Sequence, residues 1–155
     1  MTTSPNSPAA TEDWRQHLID DDRGIGRVIS ETRRIAVIGI KIDPQQPAHY
    51  VPQYAQDAGF TIVPVPVYYP DATEILGELV YRSVAAVPGD VDMVNVFRRS
   101  EAVLPHVDDI LAKRPKSVWM QAGIRNDEAA ERLARAGIDV IQDRCLMVEL
   151  QRHGH

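Results

Sequence analysis

From residue 34 onward the chain alternates short apolar runs with longer amphipathic ones. The apolar runs are IAVIGI (35–40), TIVPVP (61–66), VDMVNVF (91–97), SVWMQA (117–122) and IDVIQD (138–143). Runs of this length, apolar on both sides, are expected of strands buried on both faces of a sheet. Two prolines spaced two apart, Pro64 and Pro66, suggest that the second strand frays into a loop at its end. Between these runs the spacing predicts a helix over about 48–58, stopped by Gly59, and one over about 101–113, capped by Ser100. A third is expected over about 127–136, capped by Asn126 and ended at Gly137, and the tail from Arg144 turns helical again. Acidic residues at 101, 127 and 128 suit the positive ends of these helices. Upstream, Thr11 is read as the cap of a short helix over about 12–22, with Trp14, Leu18 and Ile19 on its buried side. The GIG triplet at 24–26 is read as a break between two helices. A short strand is expected at 79–81, and residues 1–10, small and polar with nothing to bury, are expected to be a disordered tail.

Strand and helix in alternation imply an α/β, Rossmann-like three-layer fold. Its sheet is mostly parallel, with five to six strands, right-handed crossovers and helices on both faces. The length, 155 residues, fits one domain over 11–155. A net charge of −5 argues against a nucleic-acid partner, so an anionic ligand has to be held by local cations or backbone N–H groups. No apolar run approaches membrane-spanning length, and the N-terminal residues have no signal-peptide core. The lone cysteine, Cys145, excludes an intrachain disulfide and a Cys-pair metal knuckle. A reducing, cytoplasmic setting is therefore expected.

Ligands of such sheets sit beyond the carboxyl ends of the strands, where the strand order reverses. Four loops fall there. The first is Gly39-Ile40-Lys41, where a glycine lets backbone approach a phosphate. The second follows Val65-Pro66. The third is Phe97-Arg98-Arg99-Ser100, two guanidinium groups ahead of a helix; the alternative reading is that one or both pair with Glu101 or Asp92. The fourth is Gly123-Ile124-Arg125-Asn126, in which Asn126 is already explained as a cap. Cys145 follows the last strand, with Arg144 beside it as a group able to lower its pKa. No metal site is expected. GIG at 24–26 precedes its strand and so is not the dinucleotide fingerprint, and the second strand ends without the acid that a nicotinamide cofactor's ribose requires.

The strings RIAVIGI, EILGELVYRSV, VDMVNVFRRSEAV, VWMQAGIRNDEAAERLARAGIDVIQDRC and the closing VEL resemble the small stand-alone CoA-binding proteins of the succinyl-CoA synthetase α-subunit type, over about 33–150. The resemblance implies a coenzyme A site built from the four loops. Gly39, Ile40 and Lys41 would line the pyrophosphate, and Val65 and Pro66 would flank the adenosine end. Phe97, Arg98 and Arg99 would cover the nucleotide, and Gly123 with Ile124 would approach the pantetheine arm, next to Arg125 and Asn126. Lys41 stands where that family tends to carry a small hydroxyl residue, and Pro66-Val67 where it tends to carry Asn-Pro. The synthetase's own chemistry needs a histidine on another domain, and the five histidines here share no motif.

The expected function is therefore binding of CoA or acyl-CoA, without catalysis of its own; a second copy of the chain or another protein is left open as a partner. Two alternatives stand beside it: an NAD(P)-dependent oxidoreductase or other nucleotide-binding enzyme, and a CoA-thiol redox protein using Cys145. The binding reading also expects that Gly39→Val blocks the ligand while leaving the protein folded.

Overall fold

The computed structural model describes residues 13–155. The expected tail at 1–10 and the Thr11 cap lie outside them. Along the chain come α1 (Asp22–Ser30), β1 (Arg34–Ile38), α2 (Pro47–Asp57), β2 (Thr61–Val65), the hairpin β3 (Glu74–Ile75) and β4 (Glu78–Leu79), and β5 (Met93–Val96). Then follow α3 (Val107–Lys113), β6 (Ser117–Met120), α4 (Asp127–Arg135), β7 (Asp139–Ile141) and α5 (Leu146–Arg152). Five strands form one parallel sheet in the order β2-β1-β5-β6-β7.

Strand periodicity divides the core in two. Ile35, Val37, Met93, Trp119 and Ile141 point to one face, where Ile25 and Ile29 of α1, Val51 of α2 and Leu146 and Leu150 of α5 cover them. Ala36, Ile38, Val94, Val96 and Val118 point to the other, against Val107 and Ile110 of α3 and Leu133 of α4. These side chains are almost wholly buried. Each large one contributes about 1.5–3 kcal/mol through loss of water-exposed apolar surface. Pro64 is tolerated because β2 is an edge strand; its carbonyl accepts a bond from Tyr81 N–H (3.0 Å), which places a strap of chain along that edge.

Four expectations are corrected. The segment read as a helix over 12–22 is only a 3₁₀ turn, Trp14–His17, capped by the Asp13 side chain. Beyond it, Ile19 N–H donates to Val140 O (2.9 Å), so this stretch runs along the outer edge of β7 instead of coiling. The GIG triplet is not a break: it lies inside α1, where the buried stripe Ile25, Val28 and Ile29 outweighs the poor helix propensity of two glycines. The helix expected over 101–113 opens as two 3₁₀ turns, Ser100–Ala102 and Leu104–His106, and becomes α-helical only at Val107. Pro105, lacking an N–H, disfavours a continuous α-helix through this stretch. The strand expected at 79–81 is the short β4, paired with β3 and not with the main sheet.

Candidate functional site

The strand order reverses between β1, which leads to β2 on one side, and β5, which lies on the other. The turns after these two strands touch. Gly39 has φ +84°, and a Cβ built on it would lie 2.3 Å from the Phe97 carbonyl oxygen. Gly39 N–H donates to Val65 O and Phe97 N–H to Ile38 O, both at 2.9 Å. Glycine is therefore required at this position by packing as well as by φ. Gly39→Val would disturb the fold itself, contrary to the expectation from sequence.

Arg98 lies across this crossing, its Cδ 3.4 Å from where a Gly39 Cβ would stand. Its Nε is buried and makes no hydrogen bond. A buried guanidinium N–H without an acceptor is costly, and an anion reaching this crossing would satisfy it. Arg99 differs: its side chain is 82% exposed and lies 3.4 Å from Glu101, so the ion pair weighed from sequence applies to Arg99. Asp92, the other acid considered, is occupied elsewhere by Lys116 and by the N–H groups of Arg33 and Arg34.

The remaining predicted residues fall on the same rim in different roles. Ile40 is 1% exposed and packs into the core, so it offers a ligand only its backbone. Lys41 is half-buried; its N–H donates to Ala48 O (3.1 Å) and its carbonyl meets His49 Nδ1 (2.8 Å), which ties the loop to the first turn of α2. The GIRN turn is joined to the FRRS turn through Ser100. Arg125 N–H donates to Ser100 Oγ (3.0 Å), and Asn126 Nδ2 donates to Ser100 O (2.9 Å). Ser100 is thus a link between loops and does not cap a helix. Asn126 Oδ1 accepts from Ala129 N–H (2.9 Å), as a cap should. Gly123 is exposed with φ +84°, and its N–H donates to Asp143 Oδ1 (2.6 Å). Ile124 packs against the core, and exposed Arg125 lies 3.4 Å from Asp127.

Val65 and Pro66 are buried and, with Ile38, form the apolar floor of a cleft of about 220 Å³. That is smaller than a pocket for a whole drug-sized molecule, and it suits one end of an extended ligand. Its walls contain residues that the sequence reading missed: Arg82, Ser83, His106 and Asp109. Arg82 donates to the carbonyls of Tyr68, Tyr69, Pro70 and Ala72 and holds that loop in place. Within the loop Tyr69 has φ 62°, and its hydroxyl accepts from Ile42 N–H (3.3 Å), so the loops after β1 and β2 meet. Asp109 accepts from Val84 and Ala85 N–H (2.7 and 2.9 Å). Burial, then the Arg98 charge, hold His106 below the ordinary imidazole pKa, while Asp109 opposes them. The Leu-Pro-His sequence just ahead of α3 was the one legible signal for His106.

Cys145 is half-buried, immediately precedes α5 and packs against the core. The neighbouring guanidinium of Arg144 is occupied by Asp20 (2.9 Å) and Glu149 (3.5 Å). Asp22, Glu149 and His153 lie close enough to ligate a cation together, but Arg152 donates to both acids at 2.9–3.1 Å and supplies the positive charge there. A larger cavity of about 430 Å³ flanks the outer edge of β7 near Trp14, Leu18 and Val140. Its acids Asp20, Asp127 and Glu131 outnumber the single Arg125, the wrong balance for a phosphate.

Residues 33–151 match the CoA binding domain family. An uncharacterised protein of Bacillus subtilis is 36% identical over 124 residues, 80% of this chain and 90% of the relative. A solved structure from Thermus thermophilus is 40% identical with a TM-score of 0.80, covering 86% of this chain and 99% of that one. A dinucleotide forming acetyl-coenzyme A synthetase of Ca. Korarchaeum cryptofilum, solved with phosphate and ADP, is 26% identical with a TM-score of 0.58, covering 69% of this chain and 25% of that one. Among the described residues, no helix is long and apolar enough to cross a membrane.

Proposed function

Because the chain belongs to the CoA binding domain family, we propose that it binds coenzyme A or an acyl-CoA along the rim where β1 and β5 diverge. The observation that carries this reading is the crossing of the Gly39 and Phe97 turns beneath Arg98, whose buried Nε lacks a hydrogen-bond partner. In this reading the diphosphate lies over Gly39 and receives the Arg98 guanidinium. The nucleotide end enters the cleft above Val65 and Pro66, and the pantetheine arm runs past Gly123 toward the end of β7. Residues 11–155 act as the binding unit, a carrier or sensor without a reaction of its own.

An NAD(P) enzyme fits less well. The one acid in the cleft, Asp109, has both oxygens occupied by backbone N–H groups and stands on α3, not at the end of β2 where a ribose would be held. Isothermal titration of the full chain with CoA and, separately, with NAD⁺ tests the choice. Saturable CoA binding with a Kd at least tenfold lower than that for NAD⁺ is expected. Equal or tighter NAD⁺ binding would reject the proposal.

A further inference from the structure

His106 is half-buried on the wall of the cleft at the ends of β1 and β2. It sits in the 3₁₀ turn Leu104–His106 ahead of α3 and lines this cleft together with Ile38, Val65 and Pro66. Charged groups approach it from each neighbouring element. Arg98 comes from the turn after β5, Asp109 from one turn later on α3, and Arg82 shares the cleft from the strap beyond β4. Asp109 is committed to two N–H groups and Arg82 to four carbonyls, so both are fixed in place. Arg98 is the charge still able to take a partner.

We propose that His106 faces the bound nucleotide and takes up a proton from solvent when the anion arrives. The inference rests on the reading of this rim as a CoA site. With the cleft empty, burial and the nearby guanidinium disfavour a second positive charge. A phosphate against Arg98 cancels that repulsion and adds an attraction of its own, so the imidazole binds its proton more tightly in the complex. Linkage fixes the sign: a ligand that raises a group's pKa binds better at lower pH, through the window between the free and bound values. The gain is about tenfold in affinity for each unit by which the ligand raises that pKa. Any phosphomonoester on the ligand titrates near pH 6 and works the other way. The informative quantity is therefore the difference between wild type and a variant with a neutral amide, His106→Gln.

Two measurements on the full chain test this. Titrations with CoA at pH 8 and pH 6, each in two buffers of different ionisation enthalpy, should show net proton uptake by the wild type in excess of His106→Gln, and a larger affinity gain on acidification. Should the variant fold poorly, NMR titration of the wild-type His106 ring with and without CoA answers the same question, and a higher pKa in the complex is expected. CoA binding with identical proton uptake in both proteins, or a His106 pKa that CoA does not raise, would overturn the role of His106 and leave the CoA reading standing. No CoA binding at either pH would remove both.

Discussion

At the residue scale, the two arginines of the FRRS turn are adjacent in sequence and opposite in circumstance. Arg98 is folded over Gly39 with a buried, unsatisfied Nε; Arg99 is in solvent beside Glu101. Arg98→Ala should weaken CoA by roughly 1–3 kcal/mol, the value of a charge-assisted hydrogen bond. Arg99→Ala should change affinity by less than about threefold, as expected of an exposed, screened ion pair. Titration calorimetry of the two variants reads the contrast, and equal losses would mean that the wrong arginine has been placed over the ligand. Gly39→Ala should cost more than about 2 kcal/mol of folding stability in urea denaturation, because the new Cβ meets the Phe97 carbonyl and φ is positive. Gly123→Ala meets nothing within 4 Å, so only the backbone strain, about 1 kcal/mol, should appear. The sequence showed that both glycines stood at strand ends, but it could not separate them. What does so is a carbonyl 58 positions away in the chain, which only the β1–β5 pairing brings to Gly39.

At the element scale, the runs buried on both faces were legible as strands because a parallel central sheet leaves little polar alternation. The α4 cap was legible because Asn126 does locally what its type does. The errors lie where a tertiary contact overrode a local signal. Trp14–His17 lost its helix to a strand-edge contact, α1 absorbed two glycines, and Ser100 bonded to the next loop instead of its own helix. Asp92 shows how the strands are tied at their start. Its carboxylate accepts from Arg33 and Arg34 N–H (3.0 and 2.9 Å) at the head of β1 and meets Lys116 ahead of β6. Burial works against its charge, but the two N–H groups and Lys116 prevail and hold its pKa below the usual value. A depressed carboxylate pKa contributes stability that is present above the unfolded value and lost as pH falls through the folded one. Asp92→Ala should therefore destabilise by roughly 1–3 kcal/mol at pH 7 and by less below pH 3.8. Denaturant midpoints at the two pH values check this, and a loss that does not shrink in acid would show that the carboxylate's charge is not what matters.

At the scale of the whole molecule, four loops that are remote in sequence become one rim because the sheet is parallel and every strand delivers its carboxyl end to the same side. Ser100 couples the FRRS turn to the GIRN turn, and Tyr69 couples the loops after β1 and β2. The rim is thus pre-formed, and ligand should stabilise the fold as a unit, by about 2.7 kcal/mol at a hundredfold excess over Kd. A rise in melting temperature with CoA, absent in Arg98→Ala at the same concentration, is the expected pattern. The site's location is tested most directly by a crystal structure of the chain grown with CoA. The diphosphate should lie over Gly39 within hydrogen-bonding distance of the Arg98 guanidinium, with the nucleotide end in the cleft beside Pro66 and His106. A ligand seated instead along the outer edge of β7, or at the amino ends of the strands, would contradict the account.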